Sequence, residues 1–171
     1  MVDMVAAGSS ALRVRPVLSA WALAVGVDLF FNAGLFVGLF DQGREPGLLA
    51  DADLFRRVPV AYVGLLIGVT ALGWLVDAID LRGLRSGALT GALAGAVAAS
   101  LGIVLVWTAI EMTGWFVAAG VLVQIAEFGA VGAFLGAFRD SARPRRVATI
   151  AIVVSCALAV AGIVLQNLLP A

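Results

Sequence analysis

Five long apolar stretches, separated by short charged segments, make up most of this sequence. A membrane-spanning helix needs about 20 consecutive apolar residues. The stretches that meet this requirement cover approximately residues 17–40, 58–76, 86–110, 115–138 and 147–169. None of them alternates with the period of two that is typical of a membrane β-barrel strand. The sequence therefore predicts one all-α integral membrane domain over residues 1–171, built as a compact bundle of five transmembrane helices.

The composition supports a membrane environment. Hydrophobic residues make up 63% of the chain, charged residues make up 13%, and the mean hydropathy is +1.10. A soluble domain with this composition would have to expose much of its apolar surface to water. We therefore expect the lipid bilayer to be the main partner of the surface, and the composition excludes soluble, disordered and disulfide-rich secreted classes.

The residue types that the sequence lacks exclude several kinds of cofactor binding and catalysis. The chain has no histidine and one cysteine, and all eleven basic residues are arginine. Histidine-ligated metals or haem, histidine acid–base catalysis and a Schiff-base lysine are therefore excluded. The net charge is zero, and no basic tract indicates nucleic acid. We expect no cofactor, no metal site and no enzymatic activity.

The arginines and tryptophans predict an orientation. If the N-terminus is cytoplasmic, eight arginines lie in cytoplasmic segments and three in outer segments. This imbalance favours an N-in, C-out topology in a bacterial cytoplasmic membrane. Trp21 and Trp74 then fall near the inner interface, and Trp107 and Trp115 near the outer one. The basic loop 139–146 either marks this topology alone or also holds anionic lipid headgroups.

Two carboxylates inside the apolar stretches are the main candidates for function. Asp28 and Glu127 each lie near the middle of a predicted span. An ionised carboxylate at that depth costs about 2.5–3.5 kcal/mol even on the most lenient scale. Asn32 follows Asp28 by one helical turn, and Gln124 precedes Glu127 by three residues, so each carboxyl has an amide on its own face. We predict that these four residues face one another across the first and fourth helices.

Three interpretations of this polar cluster remain open. It is a neutral hydrogen-bonded clamp between helices, a relay or binding site for protons, cations or a small ligand, or a docking site for another membrane subunit. Glu111 at the outer end of the third span is either a topological residue or part of an entry to the site.

Glycines recur four positions apart in four of the spans, which is the spacing that allows close helix contact. The motifs are Gly34–Gly38, Gly64–Gly68, Gly87–Gly91–Gly95 and Gly132–Gly136. They predict close packing within the bundle. Some of these faces could instead bind a second copy of the chain or another membrane subunit. In that case the protein is an accessory or scaffold subunit of a larger complex.

Outside the spans, the segment from Asp41 to Arg57 is the longest loop. Its apolar residues either form a short helix on the membrane surface or anchor a solvated loop; they are Leu48, Leu49, Leu54 and Phe55. Pro59 is predicted in the first turn of the second helix. Thr113–Gly114 predicts a tight turn that makes the third and fourth helices an antiparallel hairpin.

The segment from Asp28 to Phe138 resembles a loose group of small, uncharacterised bacterial inner-membrane proteins. The resemblance lies in Asp28-Leu-Phe-Phe-Asn-Ala-Gly34, in Gly83-Leu-Arg-Ser-Gly87 and in Glu127 ahead of Gly132. It implies a Gly-rich multi-pass membrane protein and supplies no activity.

Overall fold

Five long helices form the structure, a computed structural model that describes residues 3–36, 51–109 and 114–168. Helix α1 covers Asp3–Asp28 and continues directly into a π-helical segment, Leu29–Leu35. The others are α2 (Asp51–Ala78), α3 (Leu84–Ala109), α4 (Gly114–Asp140) and α5 (Pro144–Leu168). Each of the five contains a stretch long and apolar enough to cross a membrane, which in the first runs from α1 through the π-helical segment, and the described residues include no strand. The all-α, five-span prediction is confirmed at this level.

The start of α2 differs from the sequence-based prediction. Pro59 is the ninth residue of this helix rather than part of its first turn. Leu54 and Phe55 belong to the same continuous helix and form no separate surface helix, whereas Leu48 and Leu49 lie outside the described residues. The prediction starts the helix after Arg57, the last charged residue before the apolar stretch. The structure starts it six residues earlier than Arg57, at Asp51. Charged residues cost little at a membrane interface, and an interior proline removes only one N–H, so neither ends the helix.

Helices α3 and α4 form an antiparallel hairpin in which the two backbones touch. A Cβ added to Gly87 would meet the backbone of Gly132, and one added to Gly91 would meet the carbonyl of Phe128. At one end of the hairpin, the Gly83 N–H donates to the Gly136 carbonyl over 3.0 Å. Only residues without a side chain permit this approach, which gains van der Waals contact where lipid gives no hydrophobic driving force.

Helices α1 and α5 run parallel and also approach closely. Gly34 in the π-helical segment lies against Gly162, where an added Cβ would come within 2.8 Å of the Gly162 Cα. Gly26 lies against Ser155, whose hydroxyl donates to the Ala22 carbonyl over 2.5 Å. Gly26 and Gly162 were not among the glycines selected from the sequence.

The second helix departs from the packing prediction. Gly64 is exposed, and no described atom lies within 4 Å of a Cβ added there, so it makes no close contact within the described chain. Gly68 contacts the Phe128 ring rather than another backbone, and Gly38 lies outside the described residues. The reason is that α2 packs through larger side chains, and its Gly64 face points away from the bundle.

The core lies between α1, α2 and α4. Its centre consists of fully buried side chains from these helices, including Ala20, Ala24, Val69 and Val131. Large apolar side chains cover the outer surface, and Trp74 and Trp115 are 70% and 78% exposed. This arrangement leaves an apolar exterior suited to lipid contact.

Adding a methyl group at Gly91 should destabilise the protein. The Gly91→Ala variant places its Cβ on the Phe128 carbonyl oxygen, so α3 and α4 must separate, and overpacking of this kind costs about 1–3 kcal/mol or more. Gly64→Ala is the matched control, because its Cβ enters open space and alanine favours the helix. Thermal unfolding in detergent should show a lower Tm for Gly91→Ala only. Equal effects of the two variants would contradict the close backbone contact.

Candidate functional site

The structure places each predicted carboxyl beside the amide on its own helix. Asp28 is the last residue of α1, and the Asn32 Nδ2 donates to its Oδ1 over 2.5 Å. On α4, the Gln124 Nε2 donates to the Glu127 Oε2 over 3.3 Å. These two pairs lie on the contacting faces of α1 and α4.

The two carboxyl groups face each other across the helix contact. The Glu127 side chain is 1% exposed, and its carboxyl lies within hydrogen-bonding reach of the Asp28 carboxyl. A hydrogen bond between two carboxyl groups needs a proton on at least one of them, because ionised carboxylates only accept. The pair is therefore a place where one proton can be held and shared between α1 and α4.

Tyr62 on α2 is a fifth member of the site, and the sequence does not predict it. Its hydroxyl donates to the Asp28 Oδ2 over 3.0 Å. The Tyr62 backbone is held in turn by Trp21, whose indole N–H donates to the Tyr62 carbonyl over 3.0 Å. Trp21 thus packs between α1 and α2 and is half-buried. An indole N–H needs an acceptor, and α2 provides one.

Asp28 now has two hydrogen-bond donors, one on each carboxyl oxygen, besides its contact with Glu127. Within the described residues, the ion pairs lie elsewhere, at the far end of the bundle: Arg139 contacts Asp77 at 3.2 Å and Asp80 at 3.4 Å. No arginine of the described chain pairs with Asp28 or Glu127. A proton shared by the two carboxyls would remove one of the negative charges at the pair.

The π-helical segment positions the amide of this site. In this segment the Phe36 N–H donates to the Phe31 carbonyl, a bond five residues long, over 2.7 Å. The wider turn begins directly after Asp28 and contains Asn32, while Gly34 packs on Gly162. Short π-helical turns inside α-helices are often found at functional sites.

A cavity of about 510 Å³ reaches the amide side of the site. It lies between the π-helical segment, the second half of α3 and the first half of α4. Asn32 and Gln124 are its two amide residues, and the other described lining residues are Ala98, Ala99, Gly102, Ile103, Phe116, Gly120 and Val123. Glu111, the predicted entry residue, lies outside the described residues.

The opposite half of the bundle is closed beyond the carboxyl pair. Buried apolar side chains of α2 and α4, among them Leu72, Val76, Val131 and Leu135, fill the space there. A second cavity of about 310 Å³ begins only at the level of Leu135 and Arg139. The carboxyl pair therefore has a cavity on one side and a dry core on the other.

Comparison with family models, with curated proteins and with solved structures gives no match for this chain. The chemistry of the site therefore rests on its own geometry.

Removing the Tyr62 hydroxyl should weaken the α1–α2 contact by the strength of one membrane hydrogen bond. Tyr62→Phe should lose about 0.6–1.7 kcal/mol of unfolding free energy, and the loss should shrink when Asp28 is already Ala, which has no acceptor. Thr70→Val is the control, because the Thr70 hydroxyl bonds only within its own helix. Strictly additive losses for Tyr62→Phe and Asp28→Ala in a double-mutant cycle would contradict the contact.

Proposed function

We propose that the protein is a small multi-pass transporter or channel-like protein that moves protons, other small cations or a small ligand through Asp28 and Glu127. The observation that supports this proposal is the buried carboxyl pair. It has hydrogen-bond donors from three helical segments and no arginine partner in the described chain. Ionisable groups at membrane depth usually belong to ion or proton pathways.

The position of the cavity supports transport over a purely structural clamp. A clamp only needs its polar groups to satisfy one another in a dry core. In this protein Asn32 and Gln124 contact the carboxyl pair and also line the 510 Å³ cavity. A hydrated proton or cation in the cavity would meet amide groups first and carboxyl groups next.

The alternative function is an accessory or scaffold subunit that binds its partner through glycine faces. Most glycines that could serve this role are already covered by their own chain, because Gly87, Gly91 and Gly95 pack against α4. Gly64 is the observation that favours the alternative, since it lies open on the outer face of α2.

We further propose that the chain lies in a bacterial cytoplasmic membrane with its N-terminus inside. The arginine imbalance supports this orientation. The cavity beside Asn32 would then lie in the outer half of the bundle, and the ion pairs of Arg139 would lie at the cytoplasmic end.

Glu127→Gln should abolish transport without unfolding the protein. Glutamine keeps the shape of the side chain and can donate to Asp28, but it cannot release a proton. We expect liposomes with the wild-type chain to show potential-driven proton flux, reported by an enclosed pH dye. The Glu127→Gln variant should show no flux and nearly unchanged Tm.

Asp140→Asn is the matched control, because it removes an exposed carboxylate at the end of α4. Its flux should equal the wild-type flux. A fully active Glu127→Gln variant at pH values on both sides of neutrality would remove Glu127 from any proton pathway. Wild-type liposomes without proton, sodium or potassium flux would remove these ions from the proposal and raise the scaffold function above ion transport.

Cysteine labelling tests the orientation. Cys156 is exposed and is first replaced by alanine. In that background, Arg143→Cys should react with an impermeant maleimide only after the cells are opened, because loop 139–146 is proposed to be cytoplasmic. Gly114→Cys, at the other end of α4, should react in intact cells. The reverse pattern would show that the proposed orientation is inverted.

A further inference from the structure

A groove of about 440 Å³ lies between α1 and α5, away from the carboxyl site. Two arginines line it, Arg15 from α1 and Arg145 from the first turn of α5. Ser19 and Thr149 contribute hydroxyl groups from one turn further along each helix. Because α1 and α5 run parallel, both guanidinium groups lie at the same end of the bundle.

Ser19 is the residue that marks the groove as a built site. It is one of three buried polar or charged residues of the described chain, at 5% exposure. Its hydroxyl takes part in none of the hydrogen bonds found among the described residues. Every fully enclosed side-chain polar atom of these residues has a partner, so the Ser19 hydroxyl is not fully enclosed. It therefore offers a free donor to the groove that Ser19 lines. The Thr149 hydroxyl, in contrast, already donates to the Arg145 carbonyl over 3.0 Å.

The described residues do not balance the charge in the groove. Arg15 and Arg145 form no ion pair with the described residues, and no described lining residue is acidic. The contrast within the same chain is Arg139, which lines the 310 Å³ cavity and is held by Asp77 and Asp80. Two unpaired guanidinium groups with a free hydroxyl form a donor set that fits a phosphate oxyanion.

The walls next to these donors are apolar. Leu18 and Ile152 line the groove and are 50% and 47% exposed. A small soluble anion gains nothing from apolar contacts, whereas the acyl chains of a lipid can pack against such walls beside its phosphate. We propose that this groove binds the phosphate group of an anionic ligand, with Arg15, Arg145 and Ser19 as its donors. The site is independent of the proposed transport function.

The test uses the purified full-length chain in a non-ionic detergent. Short-chain phosphatidylglycerol, short-chain phosphatidylcholine and inorganic phosphate are titrated separately, and Tm is measured. A ligand that binds the folded state raises Tm in a concentration-dependent way. We expect phosphatidylglycerol to raise Tm of the wild-type chain. In the Arg15→Gln/Arg145→Gln variant its apparent affinity should fall about tenfold or more, because charge-assisted hydrogen bonds are lost.

Two further variants separate binding from folding and from general charge. Ser19→Ala keeps both arginines and should still weaken binding, so the proposal stays testable if the double variant does not fold. Arg146→Gln removes a neighbouring exposed arginine that does not line the groove and should bind like the wild type. A Tm rise with phosphatidylglycerol alone identifies a lipid headgroup, and an equal rise with inorganic phosphate identifies a free anion. No rise with phosphatidylglycerol or inorganic phosphate, an equal rise with phosphatidylcholine, or equal affinities in all variants would overturn the proposal.

Discussion

The buried Glu127 carboxyl is the group on which the arrangement of α1, α2 and α4 depends. At 1% exposure it has no access to water, and an uncompensated carboxylate at membrane depth costs about 2.5–3.5 kcal/mol on the lenient scale. The approach of Asp28 removes that cost only if one of the two carboxyls carries a proton, and Asn32 and Tyr62 then donate to the two Asp28 oxygens. Tyr62 in turn lies on α2, which Trp21 fastens to α1. The polar network therefore determines which helices are neighbours.

Helix α4 packs against α3 on one face and makes polar contacts with α1 on the other, because the two faces lie on opposite sides of the helix. Nine residues at about 100° each place Gly136 opposite Glu127. The glycine face is filled by the α3 backbone, where Gly132 and Gly136 meet Gly87 and Gly83. Close packing on that face leaves the opposite face free for polar contacts with α1. A substitution on the glycine face should therefore affect stability first, whereas one at Glu127 should affect the chemistry.

Much of this arrangement follows from the sequence. The contacts that could not be predicted from it all have the same cause. Helix periodicity alone places Asn32 beside Asp28 and Gln124 beside Glu127, since each pair lies within one turn. Tyr62 could not be found this way, because it reaches Asp28 from a different helix, 34 residues away. Gly26 and Gly162 could not be predicted for the same reason. Neither has a glycine four residues away, and the close contact that each makes depends on how α1 and the π-helical segment pack against α5. Contacts within a helix can be predicted from spacing, and contacts between helices need the packing.

The asymmetry around the carboxyl pair sets the main requirement for any transport mechanism. On one side, Asn32 and Gln124 connect the pair to a cavity. On the other, eight residues of α4 separate Glu127 from Leu135, a rise of about 12 Å through buried apolar side chains. If the protein moves protons, one could pass between Asp28 and Glu127 without a large helix movement, since the two carboxyls lie within hydrogen-bonding reach of each other. Passage beyond them requires water to enter the apolar half, so α2 and α4 must separate there.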